Sequence, residues 1–388
     1  MAPQPRDVSR APLSPPAGRS PVLAARGGGG RGRPGRLRRG VLAMLVTASV
    51  AVPVAGAAQP QAVPAPVPAP VRPLRAATPA ALADRYAASR AAIRDAERTA
   101  AAHGHLRRAA SLRAMADPAR TFLSFDGRDG GRAAEVFGDL SRAGRIAVLV
   151  PGADTSLDRY GRLRAGASAL HHEVHGRSEV HGRSAPPGSV ASGQALPQPP
   201  PNPGTASPSA APSAAPSAVV AWLGYRTPGR FGAEQLTAGL AERAAPGLRR
   251  FVRDLRTARP GVRVVLVCHS YGSVVCARAA AEPGITDIVL YGSPGTGADH
   301  VSGLRTGATV WAGRGAGDWI SAVPHTRVRL PFATLGFGAD PVSRGFGARV
   351  FPAGDGGHSD YLRAGSVALA NIARIVLGRP AATDGRHG

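Results

Sequence analysis

Ser270 stands at the centre of a short pattern typical of an activated nucleophile. The segment 268–272 reads Cys-His-Ser-Tyr-Gly, a variant of Gly-x-Ser-x-Gly in which Cys268 takes the place of the first glycine. A predicted apolar strand precedes it, and a predicted helix of small residues follows it. Such a strand-to-helix turn exposes the serine hydroxyl, and small residues on either side let the strand and helix pass closely. The pattern predicts attack of a serine oxygen on a carbonyl group; the alternative is a serine that only caps a helix.

A serine nucleophile needs a base and an acid that orients the base, and in this pattern both follow the serine along the chain. Asp318 follows a predicted strand through a glycine-rich loop, and we predict that it is the acid. His358 lies between the last predicted strand and the final predicted helix, and we predict that it is the base. The alternatives are Asp299 and Asp340 for the acid, and His300 and His325 for the base.

Two backbone amides are expected to bind the oxyanion that forms when the serine attacks. One is the amide of Tyr271, directly after the nucleophile. The other should come from the loop after the first parallel strand, where Ala153 is the predicted donor and Asp154 the alternative. Asp154 and His269 are also candidates to line the substrate cleft, although Asp154 could equally cap the helix that begins near Leu157.

Six apolar runs predict the strands that position these loops. The runs are continuous rather than alternating, which is typical of strands buried on both faces of a parallel sheet. Helix-like segments separate them, and a hairpin over 121–137 predicts an antiparallel edge. We therefore expect an α/β fold with an open, mostly parallel sheet and helices on both faces. The predicted strands are 146–150, 218–223, 262–267, 287–291, 309–312 and 348–351, and the helices are 157–172, 233–257, 271–282, 299–304 and 363–377.

The N-terminal 57 residues have the pattern of an export signal. A basic segment over 31–39 precedes an uncharged apolar segment over 41–57 that ends in Ala-Gly-Ala, a typical cleavage site. The pair Arg38-Arg39 is similar to a twin-arginine signal. We expect a secreted or envelope-associated protein, with an uncleaved membrane anchor as the alternative.

The remaining chain divides by composition. A Pro/Ala-rich linker over 58–77 should form an extended spacer, and a helical segment over 78–118 should begin with Thr78 as N-cap and Pro79 in the first turn. The α/β domain is predicted over 119–380. It contains a low-complexity insertion over 173–217 that is too poor in apolar residues to fold, and a disordered tail follows over 381–388.

The formal net charge of +24 is a weak indication of nucleic-acid binding, because every basic residue is Arg and none is Lys. That bias is typical of a GC-rich coding sequence, and nine of the arginines lie in the first 40 residues. Two cysteines, Cys268 and Cys276, exclude a disulfide scaffold or a cysteine-based zinc ribbon. We expect buried thiols there, because their positions make a disulfide geometrically doubtful. The histidines at 171, 172, 175 and 181 do not form a His-Glu-x-x-His motif, and we expect neither a metal nor a cofactor.

Seven segments spread along the chain form a recognisable set: PGADTSLDRY, AWLGY, CHSYGSVVC, YGSPGTG, VWAGRGAGDWI, FGARVF and GHSDYL. Together they resemble the secreted actinobacterial alpha/beta hydrolases that carry a domain of unknown function. The resemblance covers about 121–165 and 218–378, and this sequence departs from it at Cys268, where the family tends to have Gly, and at Trp319, where it tends to have Pro. It implies the alpha/beta-hydrolase fold and a triad of Ser270, Asp318 and His358, but no substrate.

The residues and the resemblance together predict a serine hydrolase of carboxylic esters. The expected partner is a small-molecule or lipid ester, without nucleic acid, and we expect a monomer that associates with the cell envelope or is released from it. One alternative is a non-catalytic basic protein that binds the cell wall or a polyanion. The other is an acyltransferase that uses the same triad.

Overall fold

The computed structural model describes residues 63–69, 73–182, 216–229, 233–331 and 334–381. Eight strands form one sheet in the order β1-β2-β4-β3-β5-β6-β7-β10, and β8 and β9 form a separate two-stranded sheet. The strands are β1 (Thr121–Asp126), β2 (Arg132–Phe137), β3 (Arg145–Val150), β4 (Ser217–Leu223), β5 (Arg263–His269), β6 (Ile285–Tyr291), β7 (Thr309–Gly313), β8 (Val328–Arg329), β9 (Thr334–Leu335) and β10 (Arg349–Val350).

The strand directions confirm the predicted architecture. β1 pairs with β2 and β2 with β4 in antiparallel fashion, and every other pair of the large sheet is parallel. The antiparallel hairpin lies at one edge, as predicted. In a parallel sheet of this kind the loops after the strands meet at the carboxyl ends, where ligands bind.

Helices cover both faces of the sheet, because neighbouring residues of each buried strand point to opposite sides. Val148 of β3 packs in one apolar cluster, and Leu149 packs in the other. Helices α4 and α5 contribute to the first cluster, and α3 and α6 to the second. The helices are α1 (Pro79–Ala102), α2 (Leu106–Met115), α3 (Gly161–Gly182), α4 (Gly239–Ala258), α5 (Gly272–Ala279) and α6 (Val367–Val376).

The predicted helical segment forms two helices that pack on the domain. Thr78 caps α1 by accepting a hydrogen bond from the Ala81 amide at 3.2 Å, and Pro79 occupies the first turn. Gly104, with φ of +75°, separates α1 from α2. Ile93 of α1 is fully buried in the second apolar cluster. The two helices therefore belong to the same core as the sheet.

Part of the predicted linker lies against the domain. Val63 packs on the second apolar cluster, and Ala77 is buried and donates its amide hydrogen to the Ala258 oxygen at 2.7 Å. Residues 63–69 have no regular secondary structure. The described part of this segment is therefore not a free spacer.

The insertion begins later than the sequence predicts. Helix α3 continues to Gly182, so the first copy of the repeated EVHGRS segment is helical, and Val174 within it is buried. Burial of this side chain against the core extends the helix past the predicted boundary. Residues 183–215, the predicted export signal over 1–57 and the tail from 382 lie outside the described residues. None of the described helices is both long enough and apolar enough to cross a bilayer.

Candidate active site

Ser270 occupies the sharp turn between β5 and α5, as the sequence predicts. Its φ of +51° lies in the left-handed region, which a non-glycine residue adopts at a cost of about 1–3 kcal/mol. The Ser270 amide donates a hydrogen bond to the Tyr291 oxygen at 3.0 Å, which ties the turn to the neighbouring strand β6. The surrounding structure therefore holds the serine in a conformation that it would not adopt alone.

Two glycines let the loop after β3 approach this turn. A Cβ atom on Gly272 would lie 2.6 Å from the Pro151 oxygen, and one on Gly152 would lie 2.7 Å from the Ser270 Cβ. Neither position has room for a side chain. The loop that carries Ala153 consequently lies against Ser270, where an oxyanion donor is required.

A disulfide joins Cys268 and Cys276, so the prediction of free thiols was wrong. Cys268 lies two residues before Ser270 in β5, and Cys276 lies in the second turn of α5. The reversal of the chain at Ser270 brings the two Cα atoms to 6.5 Å, within the range that a disulfide spans. The bond therefore ties the strand to the helix across the serine turn.

His358 lies between Ser270 and Asp318 and hydrogen-bonds to both. Its Nε2 is 3.0 Å from Ser270 Oγ, and its Nδ1 is 2.9 Å from Asp318 Oδ1 and 3.1 Å from Oδ2. A carboxylate can only accept, so Nδ1 carries the hydrogen and Nε2 is free to accept the serine proton. The structure thus brings together the three residues predicted as nucleophile, base and acid.

Asp318 is buried, and three donors face its carboxylate. Besides His358, the Ile320 amide donates to Oδ1 at 2.9 Å and the Tyr361 hydroxyl donates to Oδ2 at 2.5 Å. Burial alone would raise the pKa of Asp318, but the hydrogen bonds outweigh it and lower the pKa below its usual value. Asp318 is therefore a carboxylate at neutral pH.

Tyr361 is a site residue that no motif in the sequence singles out. Its buried hydroxyl donates to Asp318 and accepts the Gly315 amide hydrogen at 3.0 Å. Burial and the bond to Asp318 raise the pKa of Tyr361, so it stays protonated. The available signal was its place three residues after His358, on the same loop.

His269, a candidate to line the substrate cleft, lies against the base. Its Nε2 donates to the His358 backbone oxygen at 2.8 Å, and its ring lies 4.8 Å from the His358 ring and 4.9 Å from the Tyr291 ring between centroids. Burial, with a smaller contribution from the His358 charge, lowers the pKa of His269 to about 3. A neutral His269 therefore supports the loop that carries the base.

Asp154 has hydrogen-bond or ion-pair partners for both its amide and its carboxylate. Its amide donates to the Pro228 oxygen at 2.9 Å, so it is not available to an oxyanion. Its carboxylate forms an ion pair with Arg159. Ala153 and Tyr271 remain the predicted donors, and the Tyr271 amide lies at the N-terminus of α5, where amides lack partners within the helix.

Each of the two alternative acids forms an ion pair with an arginine. Asp299 pairs with Arg327 at 2.6 Å, and Asp340 pairs with Arg314 at 2.5 Å. The two alternative bases contact other residues. The ring of His300 hydrogen-bonds to the Gly345 oxygen, and His325 Nε2 lies 3.7 Å from Asp340 Oδ2.

Helix α3 carries histidine rings that lie close to one another. His171 and His175 lie 4.3 Å apart between ring centroids. Within the described ranges, however, no group of three or more His, Cys, Asp or Glu side chains is arranged to hold a metal ion.

A comparison of the sequence with known protein families agrees with the observed α/β architecture. A sequence model of the family described as alpha/beta hydrolase matches residues 126–195 and 204–328, half of the chain. The chain belongs to the alpha/beta hydrolase family. The matched part of this alpha/beta hydrolase contains Ser270 and Asp318 and ends before His358.

The relatives of this alpha/beta hydrolase include uncharacterized mycobacterial proteins. One from Mycobacterium tuberculosis H37Rv is 33% identical over 187 residues, which is 41% of this chain and 28% of the relative. One from Mycobacterium bovis is 38% identical over 89 residues, which is 22% of this chain and 33% of the relative. The matches thus span no more than about a third of these relatives.

Solved structures of low sequence identity are also similar to this alpha/beta hydrolase. One is an a/b serine hydrolase without a lid from Xanthomonas campestris, with 15% identity, a TM-score of 0.38, and coverage of 68% of this chain and 97% of that one. Another is the esterase LipW from Mycobacterium marinum, with 13% identity, a TM-score of 0.37, and coverage of 78% and 90%. The activity of this chain does not follow from either.

Proposed function

We propose that this protein is a serine hydrolase that cleaves carboxylic esters by acyl transfer. The observation that carries the proposal is the position of His358, whose two ring nitrogens lie 3.0 Å from Ser270 Oγ and 2.9 Å from Asp318 Oδ1. A serine hydroxyl is a weak nucleophile unless an adjacent base accepts its proton. The hydrogen bonds to His358 supply that base in the required tautomer.

In the proposed reaction Ser270 Oγ attacks the ester carbonyl carbon while His358 Nε2 takes the hydroxyl proton. The carbonyl oxygen becomes an oxyanion that accepts hydrogen bonds from the amides of Tyr271 and Ala153, and the positive end of α5 favours that charge. The ionised Asp318 stabilises the imidazolium. The bond to the leaving oxygen then breaks, and that oxygen takes the proton from His358.

The acyl group is then attached to Ser270 Oγ as an ester. A water molecule attacks it while His358 Nε2 accepts a proton from that water. Collapse of the second tetrahedral species releases the carboxylic acid, and the proton returns to Ser270. An alcohol in place of water would give acyl transfer to that alcohol. Product analysis with and without an added alcohol separates the two outcomes.

Labelling with a fluorophosphonate probe and hydrolysis of p-nitrophenyl esters of rising chain length test the proposal. The parent protein should react with both, and Ser270→Ala should lose labelling and at least about 10³-fold in turnover. Ser273→Ala is the matched control, since this buried serine donates instead to the Cys268 oxygen at 3.3 Å. Equal labelling of the parent and Ser270→Ala would rule out Ser270 as the nucleophile.

We also propose that the protein acts outside the cytoplasm. The predicted signal over 1–57 motivates this, and the Cys268–Cys276 bond supports it, because disulfides persist in oxidising compartments and are rare in the cytosol. Protein recovered from the culture medium of the native host should begin after Ala57 and contain no free thiol. Recovery of the chain only from the cytosol, with both thiols free, would contradict the proposal.

A further inference from the structure

We propose that the exposed face of the Trp319 indole binds the alcohol portion of the ester and favours alcohols with a flat apolar face, such as an aromatic or a sugar ring. This inference rests on the proposed esterase function and narrows its substrate class.

Trp319 is an exposed aromatic residue at the reacting groups. Its relative exposure is 58%, although tryptophan is highly buried on average in folded proteins. The residue directly follows Asp318 and opens a short turn, Trp319–Ala322, that Asp318 caps through the Ile320 amide. Its backbone is therefore attached to the same turn that presents the acid.

The indole contacts the base and remains largely exposed. Its ring centroid lies 4.6 Å from that of His358, at an interplanar angle of 46°. The half-buried His269 ring contacts the same imidazole at 4.8 Å. The His358 ring thus has two aromatic neighbours, and His269 already holds the base through its hydrogen bond to the His358 backbone oxygen. Trp319 stays 58% exposed despite its contact with the imidazole, so part of its surface is open to a ligand.

The direction of proton transfer decides which part of the substrate lies beside Trp319. His358 Nε2 gives its proton to the leaving oxygen, so that oxygen must come within hydrogen-bond reach of Nε2. The acyl carbon is bonded to Ser270 Oγ, and its oxygen faces the amides of Tyr271 and Ala153. The group attached to the leaving oxygen therefore extends on the His358 side, toward the indole. An aromatic ring can stack on this face, and the C–H face of a sugar ring offers a similar flat apolar surface.

The matched substrates are benzyl acetate and ethyl acetate, which share an acyl group and have leaving alcohols of similar acidity. An O-acetylated hexose is the third substrate and separates sugar from aromatic alcohols. In the parent protein we expect kcat/KM to be higher for the benzyl ester or for the sugar ester than for the ethyl ester. Trp319→Ala should lower that preference about tenfold, mainly through a higher KM for the ring-bearing ester.

Two further variants test whether the change in ester preference comes from the aromatic face of Trp319. Trp319→Phe keeps an aromatic face and should restore most of the preference. Leu106→Ala removes an even more exposed apolar side chain, 72% exposed at the start of α2, and should leave all three rates as in the parent. If Trp319→Ala lowers kcat for every ester by the same factor, the indole only positions His358 and the inference is wrong. An unchanged preference would also overturn it.

Fluorophosphonate labelling separates this failure from that of the proposed function. If the parent protein labels at Ser270 but its ester preference does not depend on Trp319, the proposed function stands and the alcohol site is wrong. If the parent protein neither labels nor cleaves esters, both the proposed function and the alcohol site are wrong.

Discussion

The Tyr361 hydroxyl donates a hydrogen bond to Asp318 Oδ2 at 2.5 Å and at the same time accepts the amide hydrogen of Gly315 at 3.0 Å. It therefore connects the loop after β7, which carries the acid, with the loop after β10, which carries the base. Because one carboxylate oxygen is bound by Tyr361 and the other by the Ile320 amide, the carboxylate has a single orientation toward His358.

Tyr361→Phe should lower kcat for ester hydrolysis about tenfold, with little change in KM. The substitution removes one hydrogen bond to a charged acceptor, a contribution of about 1.5–3 kcal/mol that orients the acid and keeps it ionised. Steady-state kinetics with a p-nitrophenyl ester at pH 7 to 8 give the result.

The control for this variant is Tyr160→Phe. Tyr160 is also buried, but its hydroxyl donates to the Ala221 oxygen at 3.5 Å, away from the site. It should keep the parent's kcat. A Tyr361→Phe variant with the kcat of the parent would show that the bond to Asp318 is not needed for turnover.

Replacement of both cysteines by alanine should lower the free energy of unfolding by about 2–3 kcal/mol, since the bond closes a short loop in the unfolded chain. It should also slow the reaction of Ser270 with a fluorophosphonate, because the strained turn at φ +51° loses the covalent link between the strand and the helix that flank it. Urea unfolding and the labelling rate, measured well below the unfolding temperature, report the two effects separately.

Reductant provides the internal comparison for the cysteine variant. Reduced parent protein should approach the double variant in both measurements, and the double variant should not respond to reductant. Identical stability and labelling rates for the parent and the double variant would contradict a role for the bond at the serine turn.

His269 should make the folded protein less stable below about pH 6.5. The folded protein keeps this imidazole neutral, with its pKa lowered to about 3, whereas the unfolded chain binds a proton at about 6.5. The unfolded state therefore binds more protons between these values, and stability falls as pH falls, by up to about 1.4 kcal/mol per pH unit for each such group. Urea unfolding at several pH values between 4.5 and 7.5 measures this slope.

His269→Phe should reduce the slope, because phenylalanine can keep the ring contact with Tyr291 but does not titrate. Burial lowers the pKa of His171 to about 4, so His171→Phe should act in the same direction, over a window of pH that ends nearer 4. The two effects should add, since the residues lie on different elements. A pH slope that is the same in His269→Phe as in the parent would be inconsistent with a neutral buried imidazole.

Much of the fold and of the candidate site was predictable because its signals are local. The apolar run before Ser270, the small residues around it and the helix after it are adjacent in the chain, and so are the glycine-rich loop before Asp318 and the glycine pair before His358. Each signal places its residue at the end of a strand. Parallel strands then bring those ends to one edge of the sheet.

Other features depend on contacts between distant segments. Helix α3 extends to Gly182 because Val174 packs in the core, although the repeated EVHGRS segment has the composition of an insertion. The Cys268–Cys276 bond joins residues only eight positions apart, but it depends on how closely the strand and the helix approach each other after the Ser270 turn, which the spacing of two cysteines does not reveal.

The amino-acid sequence by itself determined which residues could form a nucleophile, a base and an acid, and the order of strands and helices that carries them. Only the tertiary structure decided how those residues are supported: Tyr361 binds Asp318, His269 binds the His358 backbone, and Trp319 stays exposed beside the imidazole. The reason is physical. Strand and helix patterns arise from neighbours a few residues apart, whereas hydrogen bonds and ring contacts depend on side chains 40 to 90 positions apart that meet only when the sheet has formed.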